Sequence, residues 1–183
     1  SDYTADFLLF PKLFTTQLLS MIRAERPGRS ARLLAEYTAQ YEELFRGLAV
    51  KYHINIVAGS QFELDADRLY NTAFLFRRDG SSERQRKLHI TPHERKWWGV
   101  QAGQQLSVFD TDRGRISVLV GYDVQFPELA RIAFAQGARI LFVPFNADER
   151  NDYLRMRYCA QARCVENPVF LVLSGCVGNL PDV

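Results

Sequence analysis

The chain has little that would tie it to a membrane, a nucleic acid or an oxidising compartment. No apolar run approaches the roughly 20 residues that a membrane helix needs. Neither sign of charge dominates: 23 Lys and Arg stand against 21 Asp and Glu, a net charge of +2. So balanced a surface gives no reason to expect a nucleic-acid or anionic-membrane partner. The first residues, Ser1 to Asp6, show no basic segment followed by an apolar one, so no signal peptide is expected. Cysteine is scarce and odd in number: Cys159, Cys164 and Cys176, with no metal-type CxxC pair. That pattern suits free thiols in a reduced, cytoplasmic protein. Repeats, low-complexity stretches and linkers are absent as well, which argues for one domain in 183 residues.

What is present is core-forming material. Hydrophobic residues make up 47% of the chain and aromatics 13%, enough to exclude a disordered or collagenous chain. The apolar pattern alternates helices and strands. Phe7 to Phe10 reads as a short buried strand stopped by Pro11, close enough to the first residue to suggest a piece of something longer. Leu13 to Ile22 is partly helical. From an N-cap at Ser30, apolar residues recur at three- and four-residue steps from Leu33 to Tyr52, predicting one helix of about six turns. Ile54 to Gly59 and Leu69 to Phe76 read as strands. Turn residues Arg78 to Ser81 should return the chain antiparallel through Glu83 to Leu88. Gln105 to Phe109 and Ile116 to Val120 form a second hairpin around Asp112-Arg113-Gly114. Phe126 to Gln136 is a helix ended by Gly137, Ile140 to Pro144 a strand, Arg150 to Val165 a helix and Val169 to Leu173 a last strand. Strands such as Ile140-Leu141-Phe142-Val143 are apolar on every residue, so both faces of their sheet should be covered. The sum is layers of helix on sheet, with two sheets packed together.

Strand ends are where chemistry sits in such folds, and three stand out. The first is Phe10-Pro11-Lys12-Leu13-Phe14. The second runs from Arg86 to Glu94, where Lys87 could stabilise an oxyanion and Glu94 could move protons; on composition alone a solvated loop with one salt bridge and aromatic anchors is the simpler reading. The third is Val120-Gly121-Tyr122-Asp123-Val124-Gln125-Phe126-Pro127-Glu128. There Gly121 allows a sharp strand-to-helix turn and Tyr122 presents a backbone N–H. His89 and His93 with Glu94 are poor metal ligands, because an i, i+4 pair needs a helix and Pro92 lies between them. His53 reads as structural, and no cofactor is implied. Cys176 near a strand end has no base beside it in sequence.

Taken in order, these segments resemble the nitrilase superfamily of carbon–nitrogen hydrolases. The likeness rests on Phe10-Pro11-x-Leu13, Leu69-Tyr70-Asn71-Thr72-Ala73, Arg86-Lys87-Leu88-His89, Tyr122-Asp123-x-x-Phe126-Pro127-Glu128 and Ala162-Arg163-x-x-Glu166-Asn167, five motifs in register along nearly the whole chain. Phe14 to Ser20 looks most like amidohydrolase domains found beside an acetyltransferase module. The resemblance implies a four-layer αββα sandwich, here a single partial domain over 1–183 that lacks strands at both ends. It implies no metal and a Glu–Lys–Cys mechanism on non-peptide C–N bonds. Lys87 matches the triad lysine, Glu94 the second glutamate and Tyr122 the backbone donor to the oxyanion. Lys12 stands where the family has its base glutamate, and Gly121 where it has the nucleophilic cysteine. Lysine reverses the charge of the base and glycine deletes the nucleophile, so little or no hydrolysis is expected. A binding or assembly module that keeps the pocket, and an amidase that recruits Cys176 or Asp123, are the alternatives. The expected ligands are small amides, nitriles or carboxylates. The expected assembly is a homo-oligomer through helices 126–136 and 150–165, using Ile132, Phe134, Tyr153, Met156 and Tyr158.

Overall fold

The computed structural model describes residues 5–21 and 26–176. Two sheets lie face to face. In the first, β1 (Phe7–Leu9) runs parallel to β2 (Asn55–Asp65), which pairs antiparallel with β3 (Arg68–Phe76), which pairs antiparallel with β4 (Ser82–Arg86). A two-residue strand, β5 (Val100–Gln101), joins β3 in parallel. The second sheet has the order β6 (Val108–Thr111), β7 (Gly114–Val118), β8 (Ile140–Asn146), β9 (Phe170–Cys176). Its β6–β7 pair is an antiparallel hairpin, and β7–β8 and β8–β9 are parallel.

Helices cover the outer faces. Helix α1 (Pro27–Ala35) and α2 (Thr38–Lys51) lie on the first sheet, while α3 (Pro127–Ala135) and α4 (Arg150–Glu166) lie on the second. Each parallel step in the second sheet is made by one of these last two helices, as parallel strands require. Between the sheets Val57, Ala73, Leu75, Ile116, Val118 and Phe142 are buried together. Leu141 and Val143, on the opposite face of β8, pack with Leu129, Ala133, Met156 and Ala160 of the helices. Both faces of β8 are therefore dry, as its unbroken apolar run requires. The αββα sandwich expected from the sequence is the fold observed.

Several boundaries differ from the sequence reading. The six-turn helix is two helices. Pro27 opens α1 at its first turn, so Ser30 lies inside the helix and its hydroxyl donates to the Arg26 carbonyl. The break follows at Glu36-Tyr37, where the Thr38 hydroxyl contacts both the Ala35 and Phe62 carbonyls and ties the junction to β2. An apolar face that runs through such a break keeps its period, which is why the pattern read as continuous. The segment after Pro11 is a 3-10 helix, Phe14–Met21; Ile22 lies outside the described residues. Strand β2 continues six residues past Gly59, through a register shift between Val57 and Ser60. At that irregularity Gly59 has φ +69°, and a Cβ there would sit 2.0 Å from the Pro11 carbonyl oxygen. Only glycine lets the chain at 11–13 lie so close to β2. In the second hairpin both strands are displaced from their expected ends, to 108–111 and 114–118.

Candidate active site

The close approach at Gly59 places Lys12. Its backbone bridges to Ser60, and the following N–H, of Leu13, donates to the Ser60 carbonyl at 3.0 Å. Lys87 is placed by β3: its N–H donates to the Asn71 carbonyl at 2.8 Å, one step past the end of β4. Glu94 is placed by its own local bonds. Thr91-Pro92-His93-Glu94 forms a reciprocal cap: the Thr91 N–H and hydroxyl donate to Glu94 Oε2 at 3.1 and 3.0 Å, and the Glu94 N–H donates to the Thr91 hydroxyl at 3.2 Å. A short π-helical turn, Glu94–Trp98, follows. The segment from Arg86 to Glu94 is thus not the solvated loop of the simpler reading. Lys87 is fully buried and Glu94 nearly so.

The three side chains meet on one carboxylate. Lys12 Nζ lies 3.0 Å from Glu94 Oε1, and Lys87 Nζ donates to Glu94 Oε2. The Asn71 amide donates to Oε1 at 3.4 Å. Burial alone would raise the Glu94 pKa, but the two ammonium groups outweigh it and hold the carboxyl well below its ordinary value. Lys87 moves the other way: burial, then repulsion from Lys12, lowers it from 10.5 to about 8 despite Glu94. The two ammonium groups repel each other across the carboxylate they share. Both lysines take Glu94 as counter-ion, one on each oxygen.

Gly121 lies against this cluster. It begins a 3-10 turn, Gly121–Gln125, after β7, with φ +52°. A Cβ at this position would be 3.3 Å from Lys12 Cδ. The stem of Lys12 therefore lies beside the backbone of residue 121. Tyr122, the expected oxyanion donor, sits in the first turn of the same 3-10 segment, with its ring edge-on to Phe126 at 5.1 Å.

Asp123 holds this corner. Its buried carboxylate accepts the His89 N–H at 2.7 Å, the Leu88 N–H at 3.2 Å and the Val120 N–H at 3.3 Å, and lies 3.1 Å from His89 Nδ1. His89 in turn stacks on Phe126, ring centroids 3.5 Å apart. From behind, buried Arg163 of α4 donates to the Val124 carbonyl at 3.1 Å and pairs with Glu166, while the Asn167 amide caps the Arg163 carbonyl at 3.2 Å. The Ala162-Arg163-x-x-Glu166-Asn167 motif is therefore a clamp on the strand-to-helix corner. Asp123, offered by sequence as a recruited nucleophile, has both oxygens committed to backbone N–H groups. Cys176 ends β9, two strands away from the β7 strand that leads to Gly121. His53 has φ +49° in the turn after α2. His93 packs against Trp98, with centroids 5.6 Å apart. The roles of Asn71, Thr91 and Arg163 at the site were not read from the sequence. The Thr-x-x-Glu spacing of the capping box was the available signal for Thr91.

The model of the carbon-nitrogen hydrolase family matches residues 1–182. This chain belongs to that family. Within the family it is 55% identical over 182 residues to the "probable hydrolase YhcX" of Bacillus subtilis, covering 100% of this chain and 36% of that protein. To the 2-oxoglutaramate amidase of Bacillus subtilis it is 30% identical over 183 residues, covering 97% of this chain and 66% of the amidase. Among solved structures it superposes on a Nesterenkonia amidase of the nitrilase superfamily with TM-score 0.80 and 27% identity, covering 96% of this chain and 65% of that one. The chain thus spans 36% of the first of these relatives and about two thirds of the other two. Among the described residues no helix is long and apolar enough to cross a membrane.

Proposed function

We propose that this chain is a partial carbon–nitrogen hydrolase domain, cytoplasmic, that binds small amides, nitriles or carboxylates and does not hydrolyse them. One observation supports the reading: Lys12, which the resemblance sets at the base position, has its ammonium on Glu94, and its stem lies beside the place where a side chain at 121 would begin. Hydrolysis in this family needs a thiolate to attack carbon and a carboxylate to take its proton. Here the first is absent and the second is replaced by a cation. Lys87, Glu94 and the Tyr122 N–H would then act as binding groups: Lys87 and the Tyr122 N–H on a carbonyl or carboxylate oxygen, Glu94 fixing Lys87. The Nesterenkonia amidase is known with the acetamide moiety of fluoroacetamide added at its active-site cysteine, and in complex with butyramide. Its ligands are the model for the size expected here.

The test is ammonia release from a panel of small amides by the unmodified chain and by Lys87→Ala. Equal, background rates are expected. A robust rate abolished by Cys176→Ala would replace this reading with a displaced nucleophile. The paired reversal Lys12→Glu with Gly121→Cys should restore release. Self-association through α3 and α4 belongs to the same proposal. Ile132, Tyr153 and Tyr158 are exposed there, whereas Met156 is buried and Phe134 packs on the core. Sedimentation velocity at micromolar concentration should show more than the monomer.

A further inference from the structure

Strand β4 divides its side chains between two faces. Gln85, and Lys87 one step past the strand, are buried, while Arg84 and Arg86 stand on the other side of the sheet. On that side lies a cleft of about 390 Å³, lined by Asp65, Arg68, Tyr70, Arg84, Arg86 and the loop that joins β5 to β6; Lys12, Lys87, Glu94 and Gly121 take no part in it. We propose that this cleft binds the phosphate group of a small phosphate monoester. The inference goes beyond the proposed role of the Lys87 cluster and is independent of it.

The walls of the cleft are fixed by buried groups. Glu63 is buried and takes Arg84 on Oε1; its Oε2 accepts from Arg86 Nε at 3.3 Å and from the Thr72 hydroxyl at 2.7 Å. One carboxylate therefore sets two guanidinium groups side by side. Arg86 also lies over the Tyr70 ring, with Cζ 3.9 Å from the centroid, which holds the plane of its fork. The loop is anchored by the buried Gln85. Its amide donates to the Arg86 and Gln105 carbonyls at 2.8 Å each, and its carbonyl accepts the Ser107 N–H at 2.8 Å. The Gly103 N–H donates to the Lys87 carbonyl at 2.8 Å. A Cβ at Gly103 would lie 2.8 Å from Arg86 Cβ, so glycine lets the loop come up against the arginine. Walls held in this way need little ordering when a ligand arrives.

The charges at the mouth choose the ligand. Arg84 and Arg86 have acids in Glu42, Glu63 and Asp65, while Arg68, exposed on the same cleft, has no acidic partner among the described residues. Asp65 is the acid that lines the cleft itself. Its side chain is 59% exposed and reaches Arg86 through one contact, Oδ2 to Nη2 at 3.0 Å, a pair that water loosens. Asp65 thus stands in the place of an anion without filling the space. A monocarboxylate would only repeat what Asp65 already does. A phosphate monoester carries nearly two charges and three acceptor oxygens. It can take Arg86 in place of Asp65 and reach Arg68 as well, through the charge-assisted bonds that guanidinium forks favour. The rest of the cleft, walled by Gly103, Gln104, Gln105 and Ser107, suits a polar, uncharged organic part.

The unmodified chain is titrated calorimetrically with glycerol phosphate, inorganic phosphate and acetate, in low salt at about pH 7.5, where a phosphate monoester is largely a dianion. Glycerol phosphate should bind with Kd below about 1 mM, inorganic phosphate more weakly and acetate not at all. Arg68→Gln should weaken glycerol phosphate about tenfold, through loss of a charge-assisted contact. Asp65→Asn should tighten it about threefold, because a competitor for Arg86 is gone. Both residues are exposed, so neither variant threatens the fold. Arg131→Gln, at an exposed position of α3, removes the same charge elsewhere and should change nothing. Equal weakening by Arg68→Gln and Arg131→Gln overturns the proposal. So does acetate binding as tightly as glycerol phosphate, phosphate binding as tightly as its ester, or no saturation at about 1 mM. Binding lost in Lys87→Ala but kept in Arg68→Gln puts the anion on the Lys87 cluster, which overturns this proposal and leaves the proposed function standing. Ammonia release from amides bears on the proposed function alone, so the two fail separately.

Discussion

The two halves of the site are built on opposite principles. The Asp123 corner is closed: a carboxylate accepts three backbone N–H groups, and Arg163 and Asn167 brace it from the helix behind. The Lys12–Glu94–Lys87 cluster is open. Each ammonium has three donors, and the carboxylate between them takes one from each. The corner holds backbone N–H groups; the cluster holds side-chain charges, with Glu94 fixed by the Thr91 cap.

The comparison breaks most sharply at Asp123. Asp123→Ala strands the Leu88, His89 and Val120 N–H groups in the interior and should cost about 3–5 kcal/mol in urea denaturation. Glu94→Gln leaves two ammonium groups on a neutral amide and should cost about 3 kcal/mol. If it costs as much as Asp123→Ala, the cluster is as structural as the corner. Gly121→Cys alone meets Lys12 Cδ and a backbone at φ +52°, and should cost about 1–2 kcal/mol. Adding Lys12→Glu should return about 1 kcal/mol of that, as coupling between touching residues.

Smaller effects sharpen the comparison through pH. Lys87 has a depressed pKa, about 8 against 10.5. Between these values the unfolded chain binds more protons than the folded one, so this lysine makes stability rise with pH across that window. Lys87→Met should flatten the rise measured by denaturation at about pH 8 and about pH 10. The Glu94 pKa lies below its ordinary 4.5, so its contribution is complete above that value and is lost as pH falls below it. The smallest effect is on the surface. Tyr158→Ala, on exposed α4, should change stability by no more than about 0.5 kcal/mol while shifting the sedimentation of any dimer.

The layered fold was legible because fully apolar strands need cover on both faces, and Ile140 to Val143 of β8 is apolar at every residue. The positions of Lys87 and Glu94 were legible through motif spacing. What escaped was set by contacts distant in sequence. The division of the long helix depends on Thr38 meeting the Phe62 carbonyl. The extension of β2 past Gly59 depends on a glycine whose need appears only when Pro11 lies against it. The contact between Lys12 and Gly121, 109 positions apart in sequence, depends on two sheets being stacked, which local pattern does not encode.

The fit of Gly59 against the Pro11 carbonyl has an evolutionary consequence. Together with Ser60 and the buried Leu13 side chain it fixes the path of residues 11–13, so that path does not depend on the side chain at 12. A carboxylate can be exchanged there for an amine in one mutational step, and the new group arrives already aimed at Glu94. Such a fold can change its chemistry without first having to survive a change of shape.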